Sequence, residues 1–130
     1  MSNSHHNPPG LFPAYANYAH AVETPPNSRT LYVSGLNAFE ADGVSMPASF
    51  EGQAHLAWDH LGLVLDAAGM TYSDLVSLRF YLAATVDDPA NVEILRARLG
   101  THVAARTVIS CTLLEPEWLI EIEAVAARVD

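Results

Sequence analysis

The chain has 130 residues, with six arginines, no lysine, fifteen acidic side chains and one cysteine. That length suits one domain or one subunit of an assembly, and half the residues are apolar with only 16% charged, which is globular rather than disordered composition. A net charge of −9 argues against binding a phosphate backbone or an anionic membrane surface, because both require clustered cations. The missing lysine removes Schiff-base chemistry and pyridoxal phosphate carried on a side-chain amine.

Cys111 has no second cysteine to pair with, so no internal disulfide framework is possible. No stretch approaches the ~18 apolar residues of a spanning helix. The N-terminus shows no basic segment followed by an apolar run, and the expected location is the cytoplasm.

Residues 1–13 are polar and turn-rich and read as a flexible N-terminal arm; residues 14–130 read as a single domain. His5 and His6 in the arm make a poor metal site. Segments 15–22 and 30–35 read as an antiparallel strand pair, joined through the loop signal Thr24-Pro25-Pro26-Asn27-Ser28. A second loop covers 37–47. Over residues 48–68, Phe50, Ala54, Ala57, Leu61, Val64, Leu65 and Ala68 recur three and four apart, which predicts an amphipathic helix. Ser45 and Pro47 suit its start and Gly69 its end.

Residues 74–83 alternate, with Val76, Leu78, Phe80 and Leu82 against Ser77, Arg79, Tyr81 and Ala83, which predicts a strand. Asp87-Asp88-Pro89 opens a short helix that ends near Leu99 and Gly100. Two more strands are expected near 107–113 and 119–129. The order ββαβαββ implies an α+β domain: a mixed sheet with two helices on one face. The other sheet face has no cover from its own chain, so an oligomer is expected.

Several candidate chemistries find little support. His55 and His60 are five apart on the predicted helix, about 140° around its axis, so they do not face one metal. Cys111 falls within a predicted apolar strand, where cysteine is usually a small buried hydrophobe. Arg106 is more informative. It enters a strand just before Val108 and Ile109, and a buried arginine needs a partner or a ligand. In the last strand, Glu121 and Glu123 alternate with Ile120, Ile122 and Ala124. An arginine and a glutamate in one pocket can clamp a carboxylate and hold a water. The plain alternative is an Arg106–Glu121 structural ion pair.

Arg106-Thr107 followed by Ile120-Glu121-Ile122-Glu123-Ala124-Val125-Ala126 resembles the C-terminal signature of the Rid family (reactive intermediate deaminases, YjgF-like proteins), with the arginine fifteen residues before the first glutamate. Tyr18-Ala19-His20-Ala21-Val22, Tyr32-Val33-Ser34-Gly35, Gln53-Ala54 and Ala67-Ala68-Gly69 are similar to other family segments in the same order. The resemblance implies a fold like that of trimeric chorismate mutase: a homotrimer with a central β-barrel and three sites in the clefts between subunits. It implies hydrolysis of reactive enamines and imines to 2-keto acids and ammonia, with no cofactor. Arg106 would clamp the substrate carboxylate, and Glu121 would position water. Tyr18 and Ser34 would line the pocket, and the backbone N–H groups of Gly35 and Val108 would hold the ligand.

The chain departs from the family pattern. Val108 stands where common members carry cysteine, and Glu93 is aligned with a frequent asparagine. The 100–105 loop is short. Arg79 occupies a position that is often small or polar, and a structural salt bridge explains it more simply than a second ligand contact. Three functions follow: a cofactor-independent imine deaminase; a same-fold hydrolase or isomerase of another carboxylated metabolite; or a non-catalytic trimer that binds a small acid. Charge disfavours an RNA-cleaving role.

Overall fold

A computed structural model describes residues 2–130. Its strands are β1 (Ser4–His6), β2 (Ala21–Glu23), β3 (Arg29–Leu36), β4 (Leu75–Leu82), β5 (Ala105–Ser110) and β6 (Ile120–Arg128); its helices are α1 (Phe50–Ala67) and α2 (Asp88–Leu99). Strands β3 to β6 form a mixed sheet in the order β3-β6-β4-β5, antiparallel except for the β4–β5 pair. Both helices cover one face, as an α+β reading of the sequence requires.

The predicted helical stripe sets this arrangement. Phe50, Ala54, Ala57, Leu61 and Leu65 are buried against the sheet with Trp58. Ser49 caps the start by accepting from the Gly52 N–H, slightly later than Ser45 or Pro47 would place it. At the other end Gly69 adopts φ 71°, and the Met70 and Gly69 N–H groups donate to Leu65 and Asp66 carbonyls at 2.8 and 2.9 Å. The other core faces come from Leu78, Phe80 and Leu82 of β4 and Ile120, Ile122, Ala124 and Ala126 of β6. Period-two alternation sends Arg79, Tyr81, Glu121 and Glu123 to the uncovered face.

Two expectations need correction, the course of residues 15–22 and the strand placement of Cys111, and the arm carries a short strand of its own. The 15–22 segment does not form a hairpin with β3. Ala16 and Asn17 turn through left-handed φ values of 51° and 64°, and the Asn17 amide donates to the Gly100 and His102 carbonyls at 2.7 and 2.9 Å. These bonds draw the segment to the opposite edge, where Tyr18 bridges Ala104 at the start of β5. Within the arm, Ser4–His6 pairs with Ala21–Glu23 as a two-stranded ribbon, and His6 Nε2 lies 2.8 Å from Glu23. Finally, β5 ends at Ser110, so Cys111 sits beyond the strand and is half-buried rather than enclosed.

Candidate active site

Arg106 lies on edge strand β5, half-buried, opposite Leu78 of β4. Its Nη1 donates to the Ala16 carbonyl at 2.7 Å, and its guanidinium carbon stands 5.1 Å from the centre of the Tyr18 ring. The left-handed turn at Ala16 and Asn17 therefore builds both contacts. Burial lowers the Arg106 pKa from its ordinary value, while Tyr15, Asp88 and Tyr18 favour the charge. The group remains cationic at neutral pH. Among the described residues no carboxylate lies within 4.0 Å of it. One of five N–H donors is spent on a carbonyl, and a desolvated arginine left this way is suited to an incoming anion.

Glu121 forms a second constellation. The Asn37 amide donates to its Oε1 at 3.0 Å. Its Oε2 lies so close over Gly35 that a β-carbon at that position would overlap it. Glycine is required there for the carboxylate to sit against the backbone at the end of β3, where the register between Val33 and Leu36 shifts. Ser34, exposed, precedes it. The strand end Ser34-Gly35 and Glu121 are thus brought together, and Asn37, which sequence reasoning missed, holds the carboxylate from the following loop.

The two constellations do not meet within one chain. Partners across a strand pair share a face. Arg106 shares that of buried Leu78, beneath the helices. Glu121 pairs with Tyr81, which alternates with buried Phe80 and Leu82 and lies on the uncovered face. Strand β4 also separates them laterally. An Arg106–Glu121 ion pair is therefore not formed.

Val108, opposite Phe80, lies two residues beyond Arg106 on the same side of β5 and is half-buried. Glu93 is exposed on α2 and joins neither group. The polar residue that faces inward from α2 is Asn91, 1% exposed, with neither amide atom bonded to any described residue. Asp88, one turn earlier on the same face, also has a buried, unpartnered Oδ1. A polar residue on the Asn91-Ile94-Leu95 stripe was the signal that could have found it. Arg79 is exposed, and no described carboxylate lies within 4.0 Å, so the salt bridge expected for it is absent.

Comparison with known proteins places these residues in context. The family model described as endoribonuclease L-PSP matches residues 11–128. A 2-iminobutanoate/2-iminopropanoate deaminase of Rattus norvegicus is 31% identical over 101 residues, covering 77% of this chain and 74% of that protein. The Mus musculus protein of the same name is 29% identical over 112 residues, covering 85% and 81%. Among solved structures, a Yersinia pestis protein of unknown function from the Rid family, YyfB, superimposes with a TM-score of 0.87 at 31% identity, over 98% of this chain and all of that one.

Proposed function

Because the chain belongs to the endoribonuclease L-PSP, or Rid, family, we propose that it hydrolyses reactive 2-imino (2-enamine) acids to 2-keto acids and ammonia without a cofactor. The observation that carries this reading is the half-buried Arg106 guanidinium, held by Ala16 and Tyr18 and, among the described residues, lacking a carboxylate partner. A 2-imino acid supplies the missing anion. Bidentate capture of its carboxylate would fix C2 at one place in the cleft.

The protonated imine carbon is already electrophilic, so the protein need only present water and manage protons. Glu121 accepts a proton from the attacking water as its oxygen bonds to C2. That proton then passes from Glu121 to nitrogen, the C2–N bond breaks with loss of ammonia, and Glu121 takes the remaining hydroxyl proton as the C2–O bond becomes the carbonyl of the keto acid. Asn37 keeps Glu121 oriented, and Gly35 lets the carboxylate approach. Asn91 is positioned on the inward face of α2, with unspent donors and acceptors that suit a polar substrate.

Since Arg106 and Glu121 occupy opposite sheet faces, the reaction requires two copies of the chain, one presenting each residue. The uncovered face supports that assembly: Tyr32 is 79% and Ile109 46% exposed on it, a high cost for a lone subunit. Three copies closing these faces into a barrel would put a site at each junction. The family description names an endoribonuclease, but a net charge of −9 disfavours RNA as substrate.

The test is ammonia release from 2-imino acids generated in situ from several amino acids. Wild-type protein should accelerate release and Arg106→Ala should not. No acceleration by wild type across the panel refutes the assignment.

A further inference from the structure

Three of the six arginines are matched to carboxylates: Arg29 to Asp130 at 2.6 Å, Arg98 to Asp59 at 2.8 Å and Arg128 to Asp74 at 3.4 Å. The cleft of about 380 Å³ beside Arg128 is therefore one whose cation is already paired, and His102 there is bonded to the Leu75 carbonyl at 2.7 Å. Arg79 and Arg106 differ. Neither has a carboxylate within 4.0 Å among the described residues, although acidic side chains outnumber arginines fifteen to six in this chain.

Of the three arginines without a carboxylate partner among the described residues, Arg79 and Arg106 line one cleft of about 410 Å³, with Phe12, Tyr18, His20 and Thr107, while Arg96 lies outside it. No described Asp or Glu lines it. The cleft wraps around edge strand β5. Arg79 pairs with Thr107 and Arg106 with Leu78, so the arginines are diagonal neighbours on adjacent strands, one on each side of the sheet. Glu123 stands opposite Arg79 across β4 and β6, but its Oε1 accepts from the Tyr81 hydroxyl at 2.6 Å. Asp88 favours the Arg106 charge without bonding to it, and neither arginine has a directly bonded carboxylate among the described residues, so a doubly anionic ligand would supply a direct partner to each. A small monocarboxylate leaves Arg79 unused. The volume also falls in the range of roughly 300–1,000 Å³ typical of sites for larger ligands.

We propose that Arg79 determines specificity by binding a second carboxylate, so that the preferred substrates are 2-imino acids with an acidic side chain, clamped by Arg106 at C1 and by Arg79 at the far end. This rests on the imine-hydrolysis reading for the chemistry but not for the binding. Phe12 and His20 form the wall between: Phe12 is 68% exposed, and its ring meets His20 edge-on at 4.8 Å.

Calorimetry separates the two claims, using the full chain as it assembles in solution with 2-oxoglutarate and 2-oxobutanoate as stable product analogues. Wild type should bind 2-oxoglutarate about tenfold or more tightly than 2-oxobutanoate, the scale of one charge-assisted contact. Arg79→Ala should collapse that ratio toward one, and Arg79→Lys should restore part of it. A wild-type ratio of one or less, a ratio untouched by Arg79→Ala, or no binding of either acid overturns the proposal. Kinetics then tests the chemistry. Selective binding without imine hydrolysis would remove the deaminase and leave the anion specificity. Equal kcat/KM for imines of alanine and glutamate would do the reverse.

Discussion

Two inactive variants should rescue each other. Arg106→Ala removes the cationic half of the proposed site, and Glu121→Gln removes the carboxylate half. Within one chain these residues point to opposite faces of the sheet, with β4 between them. Each proposed site would therefore draw Arg106 from one copy and Glu121 from its neighbour. In a ring refolded from an equal mixture, a junction is intact when the Arg106 side comes from a Glu121→Gln chain and the Glu121 side from an Arg106→Ala chain. Each has a chance of about one half, so roughly a quarter of junctions are native, whatever the number of copies in a closed ring. The mixture should recover about 25% of wild-type ammonia release per chain. Each variant alone should lie about a hundredfold or more below wild type, as expected when a positioned reacting group is lost. Native mass spectrometry of the mixture confirms that chains have exchanged. Mixed assemblies whose rate merely equals the sum of the parents would refute the two-copy site, and with it the opposite-face argument.

Leu61→Ala should lower unfolding free energy by about 2–5 kcal/mol, because Leu61 is fully enclosed among the sheet-facing residues of α1; a denaturant midpoint equal to wild type would displace that helix from its core role. Gly35→Ala should preserve the circular dichroism spectrum but cut kcat about a hundredfold, since its methyl group displaces the Glu121 carboxylate; an unchanged kcat would mean Glu121 works from another position. Asn91→Leu should raise stability by about 1–3 kcal/mol by removing a buried, unpartnered amide while reducing kcat/KM. A loss of stability in that variant would show that Asn91 is bonded to something the fold depends on.

What could be read from the sequence was what local periodicity encodes. The α1 stripe, the alternation in β4 and β6, and the Gly69 and Gly100 stops all act over a few residues, and each element appears where its pattern predicts. The 15–22 segment carries no such pattern. Its course is set by φ values at Ala16 and Asn17 and by side-chain bonds to residues more than eighty positions away, neither of which alternation can report. The same limit applied to Glu93. Alignment with a frequent asparagine says nothing of which face a helical residue occupies; Glu93 is exposed on α2, and the inward-facing polar residue there is Asn91.

The spacing of Arg106 and Glu121 shows a different kind of blindness. Fifteen residues is a separation along the chain, and it says nothing about faces. Parity within each strand fixes a face only after strand order is known, and the order β6-β4-β5 depends on a crossover through α2. Had β5 and β6 been adjacent with these residues in register, the pair would have closed on itself as an ion bridge, and the net value of such a bridge to stability is small. Keeping the charges apart leaves each constellation incomplete: an arginine with unspent donors on one side, and a carboxylate braced by Asn37 over Gly35 on the other. In the proposed reaction, incompleteness within the chain would tie activity to assembly. It predicts that substitutions which disrupt the uncovered face, such as Tyr32→Glu, abolish turnover and release stable monomers together. Monomers of Tyr32→Glu that retained wild-type kcat/KM by the ammonia assay, after size-exclusion chromatography, would show that one chain holds the whole site.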